Sequence, residues 1–418
     1  MNEYKLNTST IIKCIRKVLN TLNEKHVDSG MRAAFLMKRY VSNYEFEEEA
    51  KPKLALLCFL KDIGDFYQTE DNYDNDPAKA AASSYTFLKH CSPLGDAAKP
   101  LLFYKSKYID SLEDENYYYG MLISLIDDVI YLAEGEYTAK EIIKKLNEKK
   151  DNYDPYQLKT MGELLLKEPD ILEKLSSDNS LFIYEASSFI QNAPYTIAEL
   201  IGFIDMLIFS IEFHSHETLA HTVTTAEIAK EIAKHARFSP AQIEAVYYAA
   251  LLLDIGKIKV PVDLLAYPGR MTEDETRMMQ NHVIYSKEIL EGCFPYDIIN
   301  MVLHHHERLD GSGYPHQLRE LSLTTGDRIV ALSDFISTLY CRRIYKDSLD
   351  KDMIVNEVDF EANEGRFDRR IADHFIDNFD EIMQLAYARE QETLSRYKRM
   401  KEEYAVLADS DALKKFFY

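Results

Sequence analysis

The chain has 418 residues, more than one ordinary hydrophobic core fills, so two domains are expected. With 46% hydrophobic and 28% charged residues it has a globular profile, and a net charge of −21 speaks against the basic face that grips a DNA or RNA polymer. A small anionic ligand stays open, because bound cations dominate the local field of a site.

The opening residues, Met1-Asn2-Glu3-Tyr4-Lys5, show no signal-peptide pattern. The most apolar run, Leu200 to Phe209, carries Asp205 and is too short to span a bilayer, so a buried helix and no membrane span are expected. Cys14, Cys58, Cys91, Cys293 and Cys341 are odd in number and lack CxxC spacing, the usage of reduced thiols in a cytoplasmic protein.

Helical periodicity runs through almost every long segment. Ile11, Ile12, Cys14, Ile15, Val18 and Leu19 form one apolar stripe, and similar stripes run through 53–61, 120–132, 224–234 and 243–252. Strand-like alternation is scarce and glycine is low, at 14 residues, so the expected fold is all-α.

A weak internal repeat is visible. Leu60-Lys61-Asp62-Ile63-Gly64-Asp65 echoes Leu252-Leu253-Asp254-Ile255-Gly256-Lys257, and Cys91-Ser92-Pro93 echoes Cys293-Phe294-Pro295. Leu125-Ile126-Asp127 echoes Leu332-Ser333-Asp334, and Tyr153-Asp154-Pro155 echoes Phe367-Asp368-Arg369. Repetition on this scale implies duplication of a whole helical domain, since a solenoid has a far shorter period. The expected layout is a first copy at 1–170, a helical connector at 171–198 after Glu168-Pro169-Asp170, a second copy at 199–388, and an exposed or partner-packed helical tail at 389–418. The connector and tail offer helical surfaces for a homodimer.

The densest chemistry lies in the second copy, at His304-His305-His306-Glu307-Arg308-Leu309-Asp310-Gly311-Ser312-Gly313-Tyr314-Pro315. Imidazole and carboxylate together suit a divalent transition metal. Glu217 and His221 stand four apart in a helical stretch and share a face. Asp254 precedes a glycine that lets backbone pass close, and Lys257 reaches into the same cavity. His282 follows the amphipathic run Thr272 to Gln280. His305 and His306, on a regular helix, diverge by roughly 100° and would serve neighbouring ions. Asp334 is placed at the far end of the apolar helix 329–332, with Arg343 and Lys346 sharing a face beyond it.

Each feature alone has a plainer reading. A Glu-x-x-x-His pair is usually a surface contact, His282 a solvated or capping residue, Asp254 to Lys257 a helix end with a glycine cap, and Arg343 with Lys346 a solvated face. His304 simply packs. The order of acid, His, Asp, His, His-His and Asp is what chance does not readily supply.

Over about 200–385 these residues resemble the HD-GYP family of HD-superfamily hydrolases, with His305-His306-Glu307 and Gly313-Tyr314-Pro315 matching its long signature. The resemblance implies two tandem helical HD-type domains and two or three divalent ions, commonly iron or manganese. It implies phosphodiesterase activity on cyclic di-GMP in bacterial second-messenger signalling. It places Glu217, His221, Asp254, His282, His305, His306 and Asp334 at metal positions, with Asp254 as bridge. Lys257, Arg343 and Lys346 fall where the family meets substrate phosphates; Lys257 joins Asp254 in catalysis, and Tyr314 shapes the pocket. One departure stands out: the family's His-Asp pair is here Leu253-Asp254, and leucine binds no metal. The first copy resembles a degenerate HD domain, with Ala80, Phe103, Tyr104 and Asp65 where the second has His282, His305, His306 and Lys257. Its role is then structural, sensory or dimer-forming. Two further readings remain: an impaired HD-GYP protein that signals by binding a cyclic dinucleotide or a partner protein, and a generic HD phosphohydrolase acting on another nucleotide.

Overall fold

A computed structural model describes residues 6–22, 27–63, 76–110, 112–135, 137–176, 181–212, 216–265, 267, 269–341 and 351–418. The side chains of residues 22, 176, 211–212, 216–218 and 262 also lie outside the description. Asp65, Arg343 and Lys346 are outside the described residues.

The fold is all-α. In chain order the helices are α1 Thr8–Leu22, α2 Ser29–Asn43, α3 Ala50–Leu60, α4 Pro77–Cys91, α5 Glu115–Glu134, α6 Ala139–Glu148, α7 Pro155–Lys167, α8 Asp170–Ser176, α9 Leu181–Ile190 and α10 Ile197–Glu212. They continue as α11 His216–His235, α12 Pro240–Leu252, α13 Val262–Leu265, α14 Glu273–Gln280, α15 His282–Leu290, α16 Tyr296–Leu303, α17 Thr325–Cys341, α18 Lys351–Asn363, α19 Arg369–Asp377, α20 Phe379–Ala408 and α21 Asp411–Lys414. Among the described residues the nearest thing to a sheet is one isolated bridge between Asp310 and Arg319. No described helix is long and apolar enough to cross a membrane.

By its contacts the chain forms two compact units. One comprises 1–21 and 204–396, the other 22–203 and 397–418. These limits differ from those drawn on the sequence. The α1 stripe is buried as expected, at Ile11, Ile12, Cys14, Ile15 and Val18, but it belongs to the unit of the second copy. Lys17 there donates to the carbonyl oxygens of Glu288 and Glu291, 3.1 and 2.5 Å away, at the C-terminal end of α15, where free carbonyls favour a cation. The stretch 171–198 groups with the first copy, where α9 packs on α2 and Glu185 pairs with Lys38 and Arg39. Residue 389 falls inside α20, and that helix buries Glu390, Thr393, Tyr397 and Met400 against the chain itself. A periodic stripe says that a face is buried, not which neighbour buries it.

The two units share a framework. In one, α2 packs on α3 and α5; in the other, α11 packs on α12 and α17. Asp154 caps α7 by accepting from the Gln157 amide, and Asp368 caps α19 by accepting from the Arg370 and Ile371 amides. Caps of this kind each contribute about 1 kcal/mol. In the second unit α15 packs against α16 and the short turn Ile255–Lys259, and that junction positions the site.

Candidate metal centre

Five segments deliver the site's side chains. His221 comes from α11, Asp254 from the residue just before the 255–259 turn, His282 from the first position of α15, and Asp334 from the middle of α17. Asp334 therefore sits mid-helix, not at a helix end. His305 and His306 lie beyond α16, which stops at Leu303, so the helical divergence expected for them does not apply. Their ring centroids are 4.0 Å apart, and the ligand atoms of His282, His305 and His306 all lie within 4.8 Å of one another.

The chain beyond α16 is bent by its own loop. A Cβ on Gly313 would meet the His306 carbonyl oxygen at 2.4 Å and Glu307 Cα at 2.5 Å, so only glycine lets the strand pass there. The buried Glu307 carboxylate accepts from the His316 amide at 2.6 Å and the Leu318 amide at 2.9 Å. Glu307 thus ties the loop and is not aimed at the cluster. His304 does not simply pack: its Nδ1 lies 3.2 Å from Asp327, the residue that pairs with Thr324 at the start of α17.

Tautomers can be read from the backbone. His282 Nδ1 is 2.7 Å from the Met279 carbonyl oxygen, and His305 Nδ1 is 2.6 Å from that of Val302. A carbonyl only accepts, so both Nδ1 atoms carry a proton, and in each ring Nε2 is the atom turned to the cluster. Those two Nε2 atoms face each other at 3.3 Å. Asp254 Oδ1 lies 3.3 Å from His282 Nε2, is buried, and makes no hydrogen bond. Two ring nitrogens and a carboxylate oxygen converging in an interior are a donor set that a cation would complete. Burial pushes His282 down to about 4, which disfavours a proton on its own Nε2 near neutral pH. Imidazoles that donate Nδ1–H to backbone and aim Nε2 inward are the arrangement of metal ligands.

The acids tie the cluster together. Asp254, 5% exposed, lies 2.7 Å from Lys257 Nζ and 4.0 Å from His221 Nε2. Burial alone would raise its carboxyl, but Lys257 and the imidazoles outweigh it and hold the group well below the usual range. Asp334 takes His221 Nε2 at 3.1 Å on one oxygen and faces His306 Nδ1 at 3.5 Å with the other. Burial would lower His221, yet the Asp334 contact wins and pushes it up to about 10. His306 is driven well below its ordinary value, first by burial and then by His305.

The sequence-derived positions fare as follows. His221, Asp254, His282, His305, His306 and Asp334 converge. Glu217 lies on α11 one turn before His221, with its side chain outside the description. Tyr314 packs its ring 4.7 Å from that of His306, forming a wall. His282 is buried, not solvated. Leu253 is fully buried.

Ser286 is a residue that the sequence reading missed. Its buried Oγ donates to the Leu253 carbonyl at 2.8 Å and accepts from the Gly256 amide at 2.8 Å. It clamps the backbone on both sides of Asp254. The signal was present: Ser286 follows His282 by one helical turn, and the first copy keeps Ser84 one turn after Ala80. The Met279 and Val302 carbonyls leave no such trace, because any residue supplies one.

A family model described as an HD domain matches residues 205–371. The chain is 25% identical over 416 residues to the 3'3'-cGAMP-specific phosphodiesterase 1 of Vibrio cholerae serotype O1, covering 92% of this chain and 95% of that protein. It is 33% identical over 171 residues to the cyclic di-GMP phosphodiesterase response regulator RpfG of Xanthomonas campestris, 40% of this chain and 45% of that protein. Its fold is similar to the crystal structure of a cyclic GMP-AMP-specific phosphodiesterase of V. cholerae (V-cGAP3), with a TM-score of 0.54 at 17% identity over 89% of this chain and 97% of that one.

Proposed function

We propose, from the premise that residues 205–371 belong to the HD-domain family, that the chain is a metal-dependent phosphodiesterase opening a cyclic dinucleotide. The observation that supports it most is the facing pair of Nε2 atoms on His282 and His305, with the unbonded oxygen of Asp254 beside them. Glu217, His221, Asp254, His282, His305, His306 and Asp334 are the proposed ligands of two or three divalent ions, iron or manganese. Bound there, such ions supply Lewis acidity at a phosphoryl oxygen and lower the pKa of a water toward neutrality.

The protein's own groups have separate tasks. Asp254 is the residue through which neighbouring ligand sets meet. Lys257, 21% exposed in its side chain, carries an ammonium at the edge of the cluster that can turn from Asp254 to the charge growing on the phosphoryl oxygens. Tyr314 borders the pocket beside His306 and bears on the nucleotide. Arg343 and Lys346 are proposed to meet the substrate phosphates. The first copy is proposed to bind no catalytic metal and to serve as scaffold, sensor or dimer surface. The cytoplasm is the proposed compartment, where such a messenger would be met.

Cyclic di-GMP is the substrate implied by the signature at 305–315. The relative matched along nearly its whole length favours 3'3'-cGAMP as the second candidate. The competing reading, a binding module without turnover, is favoured by Leu253, where a metal-binding histidine is expected. Turnover of both dinucleotides with manganese or ferrous iron, beside a count of bound metal, separates the readings. Hydrolysis that disappears in Asp254→Ala supports the enzyme. A metal-free chain that binds either dinucleotide without cleaving it overturns the enzyme and leaves the module.

A further inference from the structure

The unit built from 22–203 and 397–418 holds a second charge cluster, centred on a buried ammonium, at the place where the shared framework puts the first. Lys61 follows the last residue of α3 as Leu253 follows the last residue of α12. Its side chain is only 3% exposed, and its Nζ lies 2.5 Å from Asp62 and 2.8 Å from Asp127. The Tyr104 hydroxyl donates to the second oxygen of Asp127 at 2.7 Å. Ser84 Oγ donates to the Lys61 carbonyl at 3.1 Å, as Ser286 does to that of Leu253.

The correspondence runs residue by residue. Asp62 and Asp127 stand where the other unit has Asp254 and Asp334. Tyr104 holds Asp127 as His306 faces Asp334. Ala80 and Phe103, where the other unit has His282 and His305, offer no donor atom. A free divalent ion would find two carboxylates and a phenol, fewer than a tetrahedral site needs. Two carboxylates turned toward one point, with only about a quarter of each side chain in water, still favour a positive charge between them.

We propose that Lys61 is a tethered cation that has taken the place of a metal ion in this unit. Its ammonium bridges the two aspartates the unit keeps, so the unit retains the framework of a metal centre and binds no metal. Burial alone would lower Lys61, but Asp62 and Asp127 outweigh it and hold it charged, while Lys61 holds Asp127 below the carboxylate range. Of the other charged groups nearby, Lys105 reaches within 4.0 Å of Asp127 from a largely exposed position. It cannot take Lys61's place between the two acids.

The test uses the full chain and does not depend on whether the protein hydrolyses anything. Lys61→Met keeps the stem and removes the charge, and the midpoint of thermal unfolding falls by roughly 10 °C. Lys61→Met/Asp62→Asn/Asp127→Asn recovers most of that loss, because no buried charge is then unpaired. Where Lys61→Met does not accumulate folded, recovery by the triple variant supports the proposal and continued misfolding overturns it. His305→Ala/His306→Ala, which dismantles the other cluster, carries no transition metal after purification with manganese. An unchanged midpoint in Lys61→Met, or an ion retained after the double histidine replacement, overturns the proposal.

Discussion

Replacing Gly256 by alanine places a methyl group where α15 and the Asp254 turn touch. A Cβ there lies 2.1 Å from the His282 carbonyl oxygen, 2.4 Å from the Ser286 nitrogen and 2.7 Å from Ser286 Oγ. Non-bonded heavy atoms settle near about 3.5 Å, so helix and turn must separate by roughly 1 Å. Two of the three obstacles are main chain, and no rotamer change clears them. Overpacking of this kind costs about 1–3 kcal/mol, which leaves most of the chain folded. The functional cost is larger, because the separation pulls His282 away from Asp254. Misplacement by about 1 Å lowers turnover on the order of 100-fold. The assay is kcat on cyclic di-GMP and 3'3'-cGAMP at saturating manganese, with metal content and far-ultraviolet circular dichroism on the same preparation. A folded Gly256→Ala chain with parental metal content and kcat would refute the claim that this junction sets the ligand geometry.

Ser286→Ala leaves the buried Leu253 carbonyl and Gly256 amide without their partner. At about 1–3 kcal/mol for each of the two unsatisfied groups the expected loss is roughly 2–6 kcal/mol, read from urea unfolding; a loss under about 0.5 kcal/mol would show that the clamp carries no weight. His221 sets a pH dependence. In the metal-free chain its contact with Asp334 raises it from 6.5 to about 10, so that contribution to stability is full below about pH 6.5 and fades as pH climbs toward 10. A ligand must be neutral, so manganese binding at pH 7.5 expels about one proton per chain, measured by calorimetry in buffers of different ionisation heat; zero release would remove His221 from the ligand set. Leu253→His is expected to raise the metal content per chain, because Lys61, at the matching position, reaches both aspartates of its unit. Unchanged content would show that Leu253 is no handicap.

What could be read from the sequence was what is local. The apolar stripes at 11–19, 53–61, 120–132, 224–234 and 243–252 fall on α1, α3, α5, α11 and α12, because helical periodicity needs no knowledge of the partner face. Two of the echoed positions are local caps, Asp154 on α7 and Asp368 on α19. The allocation of α1 and the end of α20 could not be read, being a choice between two apolar surfaces. The same limit appears at His305 and His306. Residue type marked them as ligands, but their geometry follows from Gly313 passing over their backbone and from Glu307 holding the amides of His316 and Leu318. A helix assumption gave the wrong directions because the long-range bonds that end α16 early do not show in a window of neighbouring residues.

Both units bring two aspartates together, and both supply positive charge for them. In one, the buried Lys61 bridges the pair. In the other, Lys257 touches Asp254 and a protonated His221 touches Asp334, while His282 and His306 are kept neutral. The His282 and His305 rings are held in place by α15, α16 and their bonds to the Met279 and Val302 carbonyls. On the proposed function, metal loading would exchange the His221 proton for a cation at side chains already in place. It does not drive folding as it does in a small metal-dependent domain, so the metal-stripped chain should keep its helical circular dichroism and lose only turnover. Collapse of the helical signal on stripping would mean that the charge balance described here does not hold the cluster together.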